Sequence, residues 1–196
     1  MNIDDNIMIQ VASEKHASYA EQICTVIAES ARIRGTGIAR REPAYILEKM
    51  KAGKAIIALE GRKLAGFCYI ESWGKEKNFV ANSGLIVLEE YRKSGLGKRI
   101  KKAAFELSRR KFPEAKLFGI TTSLAVLRIN HALGYRPVHF TQLTDDLEFW
   151  EGCKGCVNYP ILESTNRTNC LCTAMLYDPE EKKQEAVADG EKKIAV

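Results

Sequence analysis

Alternation and helical spacing divide most of this chain into short elements. Ile7–Val11 alternates weakly as a strand, and Ser13 with Glu14 then opens a stretch whose apolar positions Ala20, Ile23, Cys24 and Ile27 recur at helical spacing. Gly35-Thr36-Gly37 breaks that helix, and a second one is expected over residues 43–50, ended by Gly53. Ala55–Glu60 and residues 64–73 read as two strands joined through Gly61-Arg62-Lys63 in a tight antiparallel hairpin, and residues 79–88 read as a third strand. The polar stretch 89–97 leads into a helix with Ile100, Ala103, Ala104 and Leu107 on its apolar face, and this helix has stopped by Pro113. Lys116–Thr121 is a strand, residues 124–133 a helix closed by Gly134, and residues 137–143 a further strand. Thr144 with Asp145 and Asp146 caps one or two helical turns, and residues 170–177 alternate as a last strand. The order of elements predicts a mixed α/β fold without internal repeats.

Composition narrows the class. With 196 residues and 45% hydrophobic content the chain can bury a full core as one domain. Thirty Lys and Arg against twenty-five Asp and Glu leave a charge of +5, too small and too spread out to point to nucleic acid. Charged residues interrupt every apolar run, so none reaches the roughly twenty residues of a membrane-spanning helix. Met1 to Asp5 contain two acids and lead into no apolar signal core, so a cytoplasmic location is expected. The six cysteines are then read as reduced thiols or metal ligands, and the Asn166-Arg167-Thr168 sequon carries no weight. Residues 180–196 are rich in Lys and Glu, too poor in large apolar groups to offset the entropy of ordering, and are expected as a disordered tail.

The informative stretch runs from Leu85 through Ile86, Val87, Leu88, Glu89, Glu90, Tyr91, Arg92, Lys93, Ser94, Gly95 and Leu96 to Gly97, a strand entering a glycine-containing turn that opens a helix. Phosphates favour that geometry, because unpaired N–H groups at a helix N-terminus and the positive end of its dipole hold an anion without a dedicated side chain. Gly95 and Gly97 let the backbone approach closely, and Arg92, Lys93 and Lys98 can add charge-assisted bonds. A charged turn before an amphipathic helix would read the same way in isolation.

Arg92 to Gly97 resembles the R/Q-x-x-G-x-G/A loop of the GNAT acyltransferases, and Leu85 with Val87 is similar to their L-x-V strand, Glu89 standing where many relatives have proline. A second stretch, Leu127 to Pro137, resembles the helix of that family that ends in a Gly-Phe or Gly-Tyr pair, here Gly134-Tyr135. The resemblance implies a GNAT fold over residues 1–179, a mixed sheet of six or seven strands flanked by about four helices. It also implies that the strands at residues 85–88 and 116–121 splay apart, with Ile86 and Val87 lining the gap for the pantetheine arm of acetyl-CoA or a related acyl-CoA. The implied activity is acyl-CoA-dependent N-acyltransfer by direct attack of an amine on the thioester.

Where many relatives carry a tyrosine that protonates the departing thiolate, this chain has Asn130, which implies cofactor contact with catalytic assistance. Helix capping or packing is its structural alternative. The strand before the loop reads Val80-Ala81-Asn82-Ser83, without the carboxylate several relatives have there, which leaves Glu71, His131 and His139 as candidates for a base. Arg32 and Arg34, with Arg40 and Arg41, can clamp carboxylates, which suits a small acidic amine such as glutamate; a solvated loop is the competing reading. Cys153-x-x-Cys156 with Cys170-x-Cys172 has the ligand types of a four-thiolate zinc site, but Cys170 and Cys172 also read as small residues on one face of a strand. No metal is therefore expected; Trp150, Tyr159 and the cysteines are the alternative packing of the acceptor-side wall. A protein or peptide acetyltransferase and a non-catalytic acyl-CoA sensor stand as alternatives to a small-amine enzyme. No nucleic acid or membrane partner is expected, and a homodimer is compatible with the pattern.

Overall fold

The computed structural model describes residues 6–35 and 40–184. Seven strands form one sheet in the order β1-β2-β3-β4-β5-β7-β6. They are β1 (Ile7–Val11), β2 (Ala55–Glu60), β3 (Lys63–Trp73), β4 (Phe79–Val87), β5 (Lys116–Thr121), β6 (Arg136–Val138) and β7 (Thr173–Tyr177). The pairings are antiparallel except β4 with β5, which run parallel.

Alternation sorts the strand residues between two faces. On one face, Ile56 and Ala58 of β2 and Cys68 and Ile70 of β3 pack against Leu96, Ile100, Ala104 and Leu107 of α3 (Leu96–Lys111). On the other, Ala55, Ile57, Phe67 and Tyr69 meet Ile23 and Ile27 of α1 (Ala20–Arg34) and Ile46 and Met50 of α2 (Pro43–Lys51). Beyond β4 that second face is covered by Trp150 of α5 (Leu147–Glu151) and Leu162 of α6 (Tyr159–Ser164), packed with Ala81, Phe118 and Leu176. Among the described residues the sheet between these two covered halves stays open.

The mixed sheet matches the GNAT fold expected from sequence. The hairpin closes through Gly61-Arg62, with Glu60 opposite Lys63. Some boundaries differ. The strand expected over 137–143 stops at Val138, because His139 turns the chain into a short 3-10 turn, Phe140–Gln142, that buries Phe140 and Leu143 beside Trp150. The strand expected over 170–177 begins only at Thr173, so Cys170 and Cys172 precede it. Helix α6 is six residues long, too short to carry a helical apolar period that the sequence could show. Residues 179–184 are helical, and Arg136 to Glu181 and Lys183 to Glu114 tie them to the domain, so the start of the segment expected as a disordered tail is folded. Residues 185–196 of that tail, and 36–39 of the Gly35-Thr36-Gly37 break, lie outside the described residues.

One irregularity positions everything that follows. The β3–β4 register shifts between Phe67 and Tyr69, and β4 bends at Gly84, whose φ is 63°. A Cβ there would sit 2.5 Å from the buried ring of Tyr69. Gly84→Ala should therefore lower stability by about 3 kcal/mol through left-handed strain and overpacking. Gly155→Ala, where a Cβ meets nothing within 4 Å, should leave the denaturation midpoint unchanged.

Candidate active site

The parallel pairing of β4 and β5 lasts for three residues, Phe79, Val80 and Ala81 against Lys116, Leu117 and Phe118. Beyond Ala81 the strands part: β5 continues along β7 through Gly119, Ile120 and Thr121, and β4 continues along β3. Backbone groups from Asn82 to Val87 thus face a gap in the middle of the sheet, where an extended chain can restore the lost hydrogen bonds.

At the end of β4 the gap meets the N-terminus of α3. Gly95 caps that helix in a left-handed conformation (φ 86°), which only glycine adopts at no cost, and the helical ladder starts with the N–H groups of Lys98 and Arg99 donating to the Gly95 carbonyl. The turn before it has Lys93 at φ 65°, and the Ser94 hydroxyl donates to the Tyr91 carbonyl at 2.9 Å. A Cβ on Gly95 would meet nothing within 4 Å, and one on Gly97 only Val87 at 3.6 Å, so these glycines leave room above the helix end. Arg92, Lys93 and Lys98 are exposed around it, and Arg92 Nε donates to the Val87 carbonyl at 3.2 Å. Burial, and next the charge of Arg92, lower the pKa of Arg34, so two guanidinium groups bear on one another near the entrance. An anion relieves that repulsion, and the residues of the turn suit a pyrophosphate.

Above the gap, on the face opposite α3, lies a cavity of about 700 Å³. Arg34, Arg41, Tyr45, Lys49, Tyr69 and Glu71 form one wall, and Phe149, Gly152 and Cys153 another, with Ser83 and Leu85 of β4 and Gly119 to Thr121 of β5 beneath. Arg41 Nε donates to the Tyr69 hydroxyl at 2.8 Å, and Arg41 also stacks over the Tyr45 ring. Glu71, a candidate base, accepts from the Tyr45 hydroxyl at 2.9 Å and pairs with Lys49 and, at 3.7 Å, with Lys54. Burial would raise its pKa, but the bond and charge of Lys49 and the Tyr45 hydroxyl outweigh it and hold the carboxyl below its ordinary value. Glu71 is thus a paired anion that fixes α2 to β3. His131 and His139 are exposed and line neither this cavity nor its neighbour; His139 instead accepts from the Thr141 N–H.

Of the residues read from the sequence, Leu85 lines the cavity, whereas the Ile86 side chain is buried under α1 and α2 and Val87 packs toward α3, leaving their backbone at the gap. Asn130, on α4 (Leu124–Ala132), is 1% exposed and lies behind the gap, its Nδ2 3.7 Å from where a Gly119 Cβ would stand; its Oδ1 has no hydrogen-bond partner among the described residues. Arg34 reaches the cavity; Arg32 is exposed and does not line it. The four cysteines line a smaller adjoining cavity of about 110 Å³ with Tyr159 and Arg34, while Trp150 is buried and donates to the Thr144 carbonyl. Burial, then neighbouring thiols, push Cys153 up to about 11 and Cys172 up to about 12, so both stay protonated. Among the described residues no group of three or more His, Cys, Asp or Glu has the arrangement to hold a metal.

Sequence reading passed over a buried polar cluster beneath the gap. Asn82 Nδ2 donates to Ser108 at 2.8 Å, the Tyr135 hydroxyl donates to Asn82 Oδ1 at 3.1 Å, and Lys101 Nζ donates to the Asn82 carbonyl at 3.3 Å. One signal was available: Lys101 falls in the row Gly97, Lys101, Ala104, Ser108, the small-residue side of α3.

Residues 21–128 match the sequence profile of the Acetyltransferase (GNAT) family. Among curated proteins no sequence matches this one. Among solved structures, N-acetylglutamate synthase from Neisseria gonorrhoeae, complexed with coenzyme A and N-acetylglutamate, is 14% identical with a TM-score of 0.62; the match covers 88% of this chain but 35% of the synthase. The protein yncA from Salmonella typhimurium, solved with its cofactor acetyl-CoA, is 14% identical with a TM-score of 0.58, over 89% of this chain and 94% of that one. A chain of the NatC complex bound to Gag peptide and CoA is 11% identical with a TM-score of 0.59, over 88% of this chain and 98% of that one. At these identities the likeness is one of fold.

The Glu71 pairs carry a pH signature. With a lowered folded pKa, their stabilisation is fully present above the ordinary carboxylate value and is lost as pH falls through the folded one. Glu71→Gln leaves buried Lys49 with only the exposed Glu48 and should cost about 2 kcal/mol at neutral pH. Chemical denaturation should find that difference narrowing below about pH 4.

Proposed function

We propose, from the premise that this chain belongs to the GNAT acetyltransferase family, that it transfers the acetyl group of acetyl-CoA to the primary amine of a small acceptor bearing a carboxylate, an acidic amino acid being the simplest case. The observation that carries this reading is the cavity of about 700 Å³ over the β4–β5 gap, sized for a small molecule and lined by Arg34, Arg40 and Arg41. Of the carboxylates on its walls, Glu71 is already neutralised by Lys49. Guanidinium groups bind carboxylates in bidentate fashion, so an acceptor's acidic group is drawn to the arginine side. The synthase with a similar fold was solved with an acidic N-acetylated amino acid, which supports the same substrate class.

In this reading the residues of the chain divide the work. The turn from Arg92 to Gly97 and the N–H groups opening α3 hold the pyrophosphate. The free backbone of β4 from Asn82 to Val87 aligns the pantetheine arm and polarises the thioester carbonyl with an N–H donor fixed in advance. The walls of the cavity exclude bulk water and orient the amine, which must arrive with its lone pair free to attack.

Thiol release from acetyl-CoA, measured over amino acids, polyamines and basic peptides, tests the assignment. Acidic amino acids should turn over best. Arg92→Glu should raise the KM for acetyl-CoA about tenfold or more, and Arg34→Ala should raise the KM for the acceptor. Preference for peptides would replace the small-amine reading with a peptide acetyltransferase. Tight CoA binding without turnover would make the chain a sensor.

A further inference from the structure

Lys101 is 2% exposed, and its ammonium group forms no ion pair among the described residues. Its contacts are the Asn82 carbonyl oxygen at 3.3 Å and the ring of Tyr135, 5.9 Å away at the centroid. The other deeply buried lysine, Lys49, is by contrast paired with Glu71 and Glu48. Burying a cation without a counter-ion costs several kcal/mol, and burial accordingly lowers the pKa of Lys101. Such a group is stabilised only when a negative charge arrives beside it.

The topology says where that charge arises. Asn82 directly follows Ala81, the last β4 residue paired with β5, so Lys101 stands at the closed end of the gap. It is also the α3 residue that lines the cavity, reaching it from the opposite face of the sheet. From Val87, beside the turn that suits pyrophosphate, to Asn82 is about 15 Å of strand, which an extended pantetheine arm spans. An arm anchored at Gly95 to Gly97 thus delivers its sulfur toward Lys101.

We propose that Lys101 is the catalytic proton donor to the departing thiolate, the role that Asn130 cannot fill. This rests on the acyl-transfer reading above. The acceptor nitrogen forms its bond to the acyl carbon as the carbon–sulfur bond breaks, and sulfur takes that electron pair. Lys101 Nζ gives its proton to sulfur, and the neutral amine then receives the proton released by the newly acylated nitrogen, directly or through water. Lys101 is restored, and the products are the amide and free thiol.

The groups packed around Lys101 do not titrate in the neutral range. Burial pushes the Cys68 thiol on β3 up to about 11 and raises the Tyr135 hydroxyl, while Asn82 and Ser108 are not ionisable. Across the cavity, Glu71 stays an anion and Lys49 and Arg41 cations. Arg34, Arg40, Glu42, Glu148 and Cys153 also line the cavity, so the contribution of Lys101 is the part of the sulfur's pH response that Lys101→Met removes.

The test titrates the thiolate absorbance of CoA bound to the full chain, to Lys101→Met and to Lys101→Arg. With wild type and Lys101→Arg the thiol should titrate at least about one pH unit lower than with Lys101→Met. The three CoA dissociation constants should agree within about threefold, while kcat falls about 100-fold or more in both variants, because arginine keeps the charge but gives up no proton. Equal midpoints for bound CoA in wild type and Lys101→Met would overturn the proposal; if the methionine variant does not fold, unaltered kcat in Lys101→Arg does so. A shifted wild-type midpoint without turnover on any acceptor would sink the acyl-transfer reading while supporting the lysine–thiol contact. Failure of wild type to bind CoA would overturn both.

Discussion

The interaction on which this structure depends is one the sheet declines to make. After Ala81 and Phe118 the two central strands stop pairing, although both continue as regular strands on their outer sides. Open hydrogen-bonding groups in the middle of a sheet are costly, so the surrounding structure must hold the strands apart. The shift in register at Phe67 and Tyr69 and the bend at Gly84 turn β4 away, while full antiparallel pairing with β7 keeps β5 in its own direction.

From that opening the rest of the site follows by position. The turn and helix end at Gly95 lie where β4 runs out, because α3 must cross back over the sheet to bury Leu96, Ile100 and Leu107. The covered halves of the other face stand on either side of the gap, and the space between them is the cavity. Glu71, Lys49 and Tyr45 brace the α2 wall, and Lys101 closes the gap from below. The proposed function puts a polyanion at one end of this arrangement, a reactive thioester in the middle and an acceptor above.

The fold and the glycine turn that opens α3 were legible because both are written in local pattern. The hairpin around Gly61-Arg62, the spacing of Ile23 and Ile27, and the run from Arg92 to Gly97 each depend on residues close in the chain. What stayed hidden depends on pairing across distance. Lys101 sits among Lys98, Arg99 and Lys102 and reads as one more solvated lysine; only the register that brings Asn82 and Tyr135 beside it removes it from water. Glu71 reads from sequence only as a candidate base, because its partner Lys49 comes from another element. The cysteine pairs are gathered by the chain reversal after α6 and line a small cavity, because β7 begins only at Thr173.

The most direct test of the central claim, that the open strands receive the pantetheine arm, is amide hydrogen exchange with and without saturating CoA. The account predicts slowed exchange confined to residues 82–87 of β4, 119–121 of β5 and 95–98 at the start of α3. Binding that slows exchange elsewhere and leaves the β4 amides unaltered would contradict it.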